Sequence, residues 1–137
     1  MHHYRKTVKQ YISRLNPKVC PFCDQATLAK AIKETPDAYI VPNLTPYDLW
    51  ELHEVIDHLL IVPKRHAINT KDLTERERLA IMDIISDYES NGYNVYTRGV
   101  GSATRSVDHY HTHLIKTGHK KPRLAFYLRK PYLLVKL

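Results

Sequence analysis

The chain has 137 residues, 43% of them hydrophobic, which is enough to bury the core of one domain. It has no apolar run near the roughly 20 residues that a membrane span requires, and its N-terminus lacks the apolar core of a signal peptide, so we expect a cytoplasmic protein. Lysine and arginine total 21 against 14 aspartate and glutamate, and the formal charge of +7 suits a polyanionic ligand such as a nucleotide, a nucleic acid or a membrane surface.

The first elements are predicted from apolar spacing and from prolines. Apolar residues at helical spacing predict a helix over residues 4–15. A second, short helix is predicted over residues 25–34, because a Thr-Pro pair follows it. Residues 39–41 are typical of a strand that ends at a proline, and the polar, aromatic, proline-containing segment 42–54 is predicted to be a loop.

The clearest strand and the clearest helix follow. Residues 58–63 form a near-continuous apolar run, which is typical of a strand buried on both faces. Thr74 can cap a helix over residues 74–90, and Glu77, three residues later, completes a capping box. An Asn-Gly pair ends this helix.

The C-terminal half is predicted to be mostly strand, with a glycine-containing loop at residues 99–104. The strands are expected at residues 93–98, 106–116, 124–128 and 132–135.

Two cysteines, Cys20 and Cys23, form a Cys-x-x-Cys pattern. In a reducing compartment such a pair is a redox pair or half of a metal site. The redox alternative expects a strand before the motif, whereas a predicted helix and an Asn-Pro break precede this one. Two thiolates leave a tetrahedral zinc ion two ligands short, and since the chain has no other cysteine, these ligands should be histidines.

Three histidines, His109, His111 and His113, alternate within the predicted strand 106–116. A period of two places them on one face of that strand. A strand face made only of imidazoles loses the packing that strands favour, so a chance cluster is the less favoured explanation. Same-face neighbours lie about 6.6 to 7 Å apart, which makes one small ion shared by all three less natural. A metal site and a phosphate site with a histidine nucleophile both remain open.

The segment HYHTHLI at residues 109–115 resembles the motif of the histidine triad (HIT) superfamily of nucleotide hydrolases and transferases. Upstream, HLLIVPKRH at residues 58–66 is similar to the family's strand ending in Pro-Lys-x-His, and a Ser-Val pair leads into the triad as in the family. CPFC at residues 20–23 resembles the Cys-x-x-Cys of many bacterial members. The resemblance covers about residues 20–115.

This resemblance implies an α+β fold with an antiparallel sheet of about five strands flanked by helices. We expect one such domain over residues 1–137, with the N-terminal helix and the C-terminal strands as extensions of the motif-bearing core. The family's usual homodimer is implied as well.

The resemblance also assigns the chemistry. In the family the middle histidine, here His111, attacks the α-phosphorus of a nucleotide and forms a nucleotidyl-histidine, a role that suits an imidazole near neutral pH. His113 and Ser106 match the donors to the non-bridging phosphate oxygens. The implied function is a hydrolase or transferase acting on a nucleoside phosphate, such as a dinucleoside polyphosphate or a nucleoside phosphoramidate.

Two other functions remain open. The first is the removal of a nucleotide from nucleic-acid ends, as in the aprataxin branch, although the chain lacks that branch's C-terminal zinc finger. The second is a module that binds a nucleotide without turnover, against which the intact triad and Ser106 argue. The expected partners are a nucleotide and a second copy of the chain, with nucleic acid less favoured and no membrane.

Arginines replace amides in the predicted phosphate site. Arg98 lies where the family has Asn or Gln in contact with the phosphate, and Arg105 replaces the usual Gln before Ser106, beside Thr104 in place of Gly. A guanidinium can bind two oxygens, so Arg98 and Arg105 are predicted to bind phosphate together with Ser106 and His113. Alternatively, either arginine forms only a surface ion pair. The added charge could favour a longer polyphosphate, a free phosphate acceptor or a nucleic-acid backbone.

Asn43 follows the strand at residues 39–41, where family members place the Asn or Asp that binds the ribose hydroxyls. An amide can donate to one hydroxyl and accept from the other. The alternative is a plain turn residue after proline.

In metal-bearing members the ion is shared by the two cysteines, the histidine after Pro-Lys-x and the first triad histidine. By resemblance these are Cys20, Cys23, His66 and His109. Four protein ligands make a closed, structural zinc site with no position for water. The other histidines of the middle and C-terminal regions, His53, His58 and His119, are predicted to be structural.

Overall fold

The structure of the chain is a computed structural model that describes residues 2–3, 19–119, 125–129 and 132–136. The helix predicted over residues 4–15 lies outside the described residues. In chain order the elements are β1 (His2–His3), α1 (Gln25–Leu28), β2 (Lys33–Glu34), β3 (Ala38–Pro42), β4 (Tyr47–Trp50), β5 (His53–Pro63), α2 (Glu75–Ser90), β6 (Tyr93–Thr97), β7 (Thr112–Thr117), β8 (Ala125–Arg129) and β9 (Tyr132–Lys136).

Strand β5 is the centre of an antiparallel sheet. It pairs with β3 on one side and with β7 on the other, and β2 and β6 extend the sheet to the order β2-β3-β5-β7-β6. The first residues of β5 also pair with β4, and β4 pairs with β1. The predicted α+β fold with an antiparallel sheet of about five strands is confirmed, with β4 and β1 as additions. Strands β8 and β9 form a separate two-stranded sheet.

Residues 58–63 of the central strand are buried on both faces, as the apolar run predicts. On one face, Leu59 and Ile61 belong to a core cluster that includes Ile81 and Ile84 of helix α2. On the other face, alternate residues of the same strands pack against the segment that follows the first cysteine, through Phe22. Because Leu60 pairs with His113 in the sheet register, the histidines lie on this second face.

Helix α2 begins with the predicted capping box. The Thr74 hydroxyl accepts from the Glu77 backbone N–H at 3.2 Å, and the Glu77 carboxylate accepts from the Thr74 N–H at 2.7 Å. The helix ends at Ser90 with Asn91 as its C-cap, and the next residue, Gly92, adopts the left-handed conformation with φ +81°. In the described part of the chain, neither helix is long and apolar enough to cross a membrane.

Two predictions about the region before β5 were wrong. The helix predicted over residues 25–34 ends at Leu28. The last two residues of the predicted range, Lys33 and Glu34, form β2 instead, because pairing with β3 outweighs local helix propensity. The predicted loop at residues 42–54 contains β4, which forms a hairpin with β5. Its two-residue turn, Glu51 and Leu52, has positive φ at both positions, a geometry usually marked by Asn-Gly.

The predicted histidine strand is shorter than expected. It begins at Thr112, so His109 lies in a bend before it and His111 in the irregular segment that leads into it. The predicted loop at residues 99–104 and the two C-terminal strands are confirmed, the strands within one or two residues.

Candidate functional site

All four predicted metal ligands converge in the structure. The donor atoms of Cys20, Cys23, His66 and His109 lie within 4.8 Å of one another. His109 Nδ1 lies 3.4 Å from Cys20 Sγ and 3.5 Å from Cys23 Sγ, and Cys23 Sγ lies 3.4 Å from His66 Nδ1. With ordinary Zn–S and Zn–N bond lengths, the S–N edge of a tetrahedral site is about 3.5 Å. The four residues therefore fit a tetrahedral metal ion.

The tautomer of His109 also fits a metal ligand. Its Nε2 lies 3.0 Å from the carbonyl oxygen of Pro63, which can only accept. Burial, the largest effect, lowers the pKa of His109 to about 4, so the ring is neutral near pH 7 and carries its proton on Nε2. The Nδ1 lone pair then points to the two cysteines, as a ligand held by an outer carbonyl should.

The N-terminal segment reaches the triad through a tight turn and one aromatic ring. The Cys23 N–H donates to the Cys20 carbonyl at 3.0 Å, which places both sulfurs on the same side. Phe22, between them, is buried and packs edge-on to His109 and, at 5.0 Å between centroids, against His111. The Cys-x-x-Cys segment thus contacts both the metal cluster and the middle histidine.

His111 is oriented by the backbone of its own motif. Its Nδ1 lies 2.8 Å from the carbonyl oxygen of His109, so Nδ1 carries the proton and Nε2 keeps its lone pair. Burial is the largest influence on the ring and lowers the pKa of His111; Arg105 and Arg98 lower it further. A neutral imidazole with a fixed, unprotonated Nε2 is the form that can act as a nucleophile.

His113 is held by a second histidine that the sequence did not single out. Its Nδ1 lies 2.9 Å from Nε2 of His58, and the Tyr47 backbone N–H donates to His58 Nδ1 at 3.0 Å. Since a backbone N–H can only donate, a neutral His58 carries its proton on Nε2 and donates a hydrogen bond from it to His113 Nδ1. A neutral His113 then carries its own proton on Nε2, as a donor to an anion. His58 was predicted to be structural, and the structure instead places it against the triad.

Both ends of the Asn43 amide contact protein groups. Its Oδ1 accepts from the Thr45 N–H at 3.0 Å, which directs Nδ2 toward His58. Nδ2 lies 3.0 Å from His58 Nε2 and 3.5 Å from Nδ1. Only Nδ1 can accept in the tautomer assigned above, so the 3.0 Å contact with Nε2 is not a hydrogen bond. Asn43 thus stands beside His58, and ribose binding stays a prediction.

The HIT domain family model matches residues 28–120, more than half of the chain. The chain belongs to the HIT domain family. No curated protein matches it significantly.

Solved structures of other HIT proteins share the fold. A HIT family hydrolase from Clostridium thermocellum is 22% identical, with a TM-score of 0.57 over 77% of this chain and 96% of its own. A histidine triad nucleotide-binding protein from Candida albicans is 22% identical, with a TM-score of 0.51 over 78% of this chain and 85% of its own. A hypothetical histidine triad nucleotide-binding protein from Sulfolobus tokodaii is 19% identical, with a TM-score of 0.56 over 76% of this chain and 73% of its own. At these identities the likeness shows the fold alone.

The two arginines of this HIT protein have different surroundings. Arg98 Nη2 donates to the Tyr47 hydroxyl at 2.6 Å. Arg105 is nearly buried, and its Nε and Nη2 donate to the backbone carbonyls of Val107 and Ile68, at 3.0 and 2.5 Å. These bonds join the loop before the triad to the loop after β5 and leave Nη1 for any contact with phosphate. Ser106, next in the chain, is exposed.

Sequence reasoning missed His58 and Tyr47 as members of the site. His58 had a usable signal, because it is the polar first residue of the apolar run 58–63 that was predicted to be buried on both faces. Tyr47 had none, since it arrives through a hairpin that was predicted to be a loop.

Proposed function

We propose that this HIT protein is an enzyme that transfers or hydrolyses the nucleotidyl group of a nucleoside phosphate through a nucleotidyl-histidine intermediate on His111. The observation that carries the proposal is the 2.8 Å contact between His111 Nδ1 and the His109 carbonyl, which leaves Nε2 as a lone pair beside His113. The substrate class is a dinucleoside polyphosphate or a nucleoside phosphoramidate.

In the first step, His111 Nε2 forms a bond to the α-phosphorus, and the bond from phosphorus to the leaving group breaks with its electron pair. The ring becomes cationic, and the His109 carbonyl oxygen stabilises the proton that stays on Nδ1. In the second step, water or another acceptor attacks phosphorus and the N–P bond breaks. The acceptor's proton is lost, and the neutral imidazole is restored.

We assign the non-bridging oxygens to His113 Nε2 and Ser106. The His58 contact supports this assignment, because it leaves the outer nitrogen of His113 protonated. Both donors stabilise charge that grows as the phosphorus becomes five-coordinate. Arg98 and Arg105 add positive charge, and Asn43 is proposed for the ribose.

We further propose that Cys20, Cys23, His66 and His109 hold a structural zinc ion. The S–N distances and the lone pair on His109 Nδ1 support four protein ligands. The ion would join the N-terminal segment to the triad, and no catalytic step is assigned to it.

A homodimer is proposed from the family and from two exposed features. Strand β6 lies at the end of the order β2-β3-β5-β7-β6, so its outer edge can pair with another chain. Leu79 and Met82 of α2 are 60% and 55% exposed, and Val95 of β6 is 39% exposed. Sedimentation should give twice the chain mass, and a monomer at micromolar concentration would contradict the proposal. The cytoplasmic location stays a prediction.

Substitution of His111 tests the chemistry. We expect His111→Ala to abolish turnover while nucleotide binding survives, and mass spectrometry of the wild type quenched during turnover to show a nucleotidyl adduct. Wild-type rates in His111→Ala would contradict the nucleophile. Steep loss of oligonucleotide binding with salt, together with release of nucleotides from nucleic-acid ends, would instead favour the aprataxin-like alternative.

A further inference from the structure

The hairpin of β4 and β5 carries an aromatic cluster onto one side of the triad. The rings of Tyr47 and Trp50 stack at 6.1 Å between centroids, and Trp50 packs against Tyr96 at 5.3 Å. Both tyrosine rings contact His113, at 5.7 and 5.6 Å. The β4–β5 hairpin therefore places aromatic rings beside the third histidine of the triad.

Arg98 lies within this cluster. Its Nη2 donates to the Tyr47 hydroxyl, and its Cζ lies 6.0 Å from the ring centroids of Tyr47 and Tyr96. Its Nε is buried and has no hydrogen-bond partner among the described residues. A buried charged donor without an acceptor is costly, which indicates that an anion completes the site.

The number of charges points to a second phosphate. A bridging α-phosphate carries one negative charge, whereas two guanidiniums, those of Arg98 and Arg105, lie close enough to His111 to lower its pKa, so one positive charge is in excess. Arg98 adds a full positive charge where the family has a neutral amide. A planar guanidinium fixed through one nitrogen can still offer its other N–H groups to an anion.

We propose that Tyr47 and Arg98 form a subsite for a second phosphate adjoining the α-phosphate, with Tyr47 as the positioning residue that holds the guanidinium. This inference rests on the proposed function. The preferred leaving group is then itself a phosphate or polyphosphate. When the bond between the α-phosphorus and the bridging oxygen breaks, the oxygen keeps the electron pair, and Arg98 neutralises that charge without a proton transfer.

Two probes with the same nucleoside test the subsite. Attack on the α-phosphorus of diadenosine tetraphosphate releases adenosine triphosphate, whose first phosphate would occupy the subsite. Attack on the 4-nitrophenyl ester of adenosine monophosphate releases 4-nitrophenolate, which has no phosphate. We expect Arg98→Gln to lower the ratio of kcat/KM for the first probe to that for the second by about tenfold to a hundredfold, the effect of losing a charged hydrogen bond. Tyr47→Phe, which keeps the ring, should lower the same ratio by about threefold to tenfold.

A double-mutant cycle separates positioning from direct binding. In the Arg98→Gln background, Tyr47→Phe should leave the ratio unchanged, because there is no guanidinium left to hold. Tyr93→Phe is the matched control, since the hydroxyl of Tyr93, on β6, donates to Asp57 instead of contacting Arg98. It should leave the ratio at the wild-type value, and thermal melting should show that all variants fold.

An unchanged ratio in Arg98→Gln would overturn the subsite, and a full Tyr47→Phe effect in that background would overturn the positioning role. Calorimetric titration with pyrophosphate tests binding without turnover, and its affinity should fall at least about tenfold in Arg98→Gln. If the wild type cleaves neither probe but binds pyrophosphate through Arg98, the proposed function fails while the anion subsite stands. Equal pyrophosphate affinity in wild type and variant rejects the subsite itself.

Discussion

The ion pair between Glu77 and Arg65 should make the stability of the protein depend on acid pH in a way that one substitution removes. The Glu77 carboxylate is nearly buried, and it accepts from Arg65 Nε and Nη2 at 3.0 and 2.7 Å as well as from the Thr74 N–H. The hydrogen bonds from Arg65 have the largest effect, and together with those from Thr74 they lower the pKa of Glu77 from 4.5 to about 2. Because the folded-state pKa is the lower one, the stabilisation is complete above pH 4.5 and is lost as pH falls toward 2.

The size of the effect follows from the two pKa values. At about 1.4 kcal/mol for each pKa unit, the change from 4.5 to about 2 can contribute at most about 3.4 kcal/mol to the free energy of unfolding. The Arg65 side chain is 49% exposed, so solvent screens the pair, and we expect about 1 to 2 kcal/mol. Glu77→Gln should lower the free energy of unfolding by this amount at pH 7, because glutamine can keep the capping box but cannot form the ion pair.

Urea unfolding of wild type and Glu77→Gln between pH 7 and pH 2 measures the difference. The two free energies of unfolding should converge as pH approaches 2. Any metal lost in acid is lost from both proteins and cancels. Glu75→Gln, an exposed acid in the same first turn, is the control and should change stability by less than about 0.5 kcal/mol. A Glu77→Gln cost that is the same at pH 2 as at pH 7 would refute the ionic explanation.

Two further substitutions address the site. Metal analysis should find about one zinc per chain, and free zinc at a thousand times its Kd should raise the free energy of unfolding by about 4 kcal/mol. Cys23→Ser should lose both the bound zinc and the stabilisation by added zinc. His119→Ser, which lies outside the cluster, should keep both. A wild type that is purified without metal and whose melting temperature does not change on addition of zinc would exclude the ion. His58→Phe should lower kcat by about tenfold to a hundredfold, because His113 loses the 2.9 Å contact that fixes its tautomer. Steady-state kinetics measure this, and a melting curve checks that the variant folds; an unchanged kcat would reject the role of His58 in fixing the tautomer of His113.

Much of the fold could be predicted where local signals agreed with the tertiary structure. Helix α2 has its own capping box, and β5 has an apolar run that only a strand between two core clusters explains. Strand β2 was missed because it is only two residues long, and the Thr-Pro pair that follows it was interpreted as the end of a helix. Strand β4 was missed because its turn, Glu51 and Leu52, lacks the glycine or asparagine that normally marks positive φ.

The candidate site was also only partly predictable from the sequence. The metal cluster was predictable because its four donors are the residue types that zinc requires, at positions that resemble a known pattern. The orientation of each histidine was not predictable, since two of the three partners that set it are backbone carbonyls. Pro63 and His109 supply these carbonyls, and their side chains give no hint of the role.

His109 connects the Cys/His cluster to the proposed nucleophile, His111, through two different parts of one residue. Its imidazole Nδ1 faces the cysteines, while its carbonyl oxygen accepts from His111 Nδ1. A ligand bond at the ring would restrict rotation of the residue and so fix the direction of that carbonyl. An ion remote from the chemistry can therefore keep the attacking nitrogen unprotonated and aimed at phosphorus. On this reasoning, loss of the metal should lower kcat more than it weakens nucleotide binding, because binding groups such as His113 take their orientation from His58 and not from the cluster.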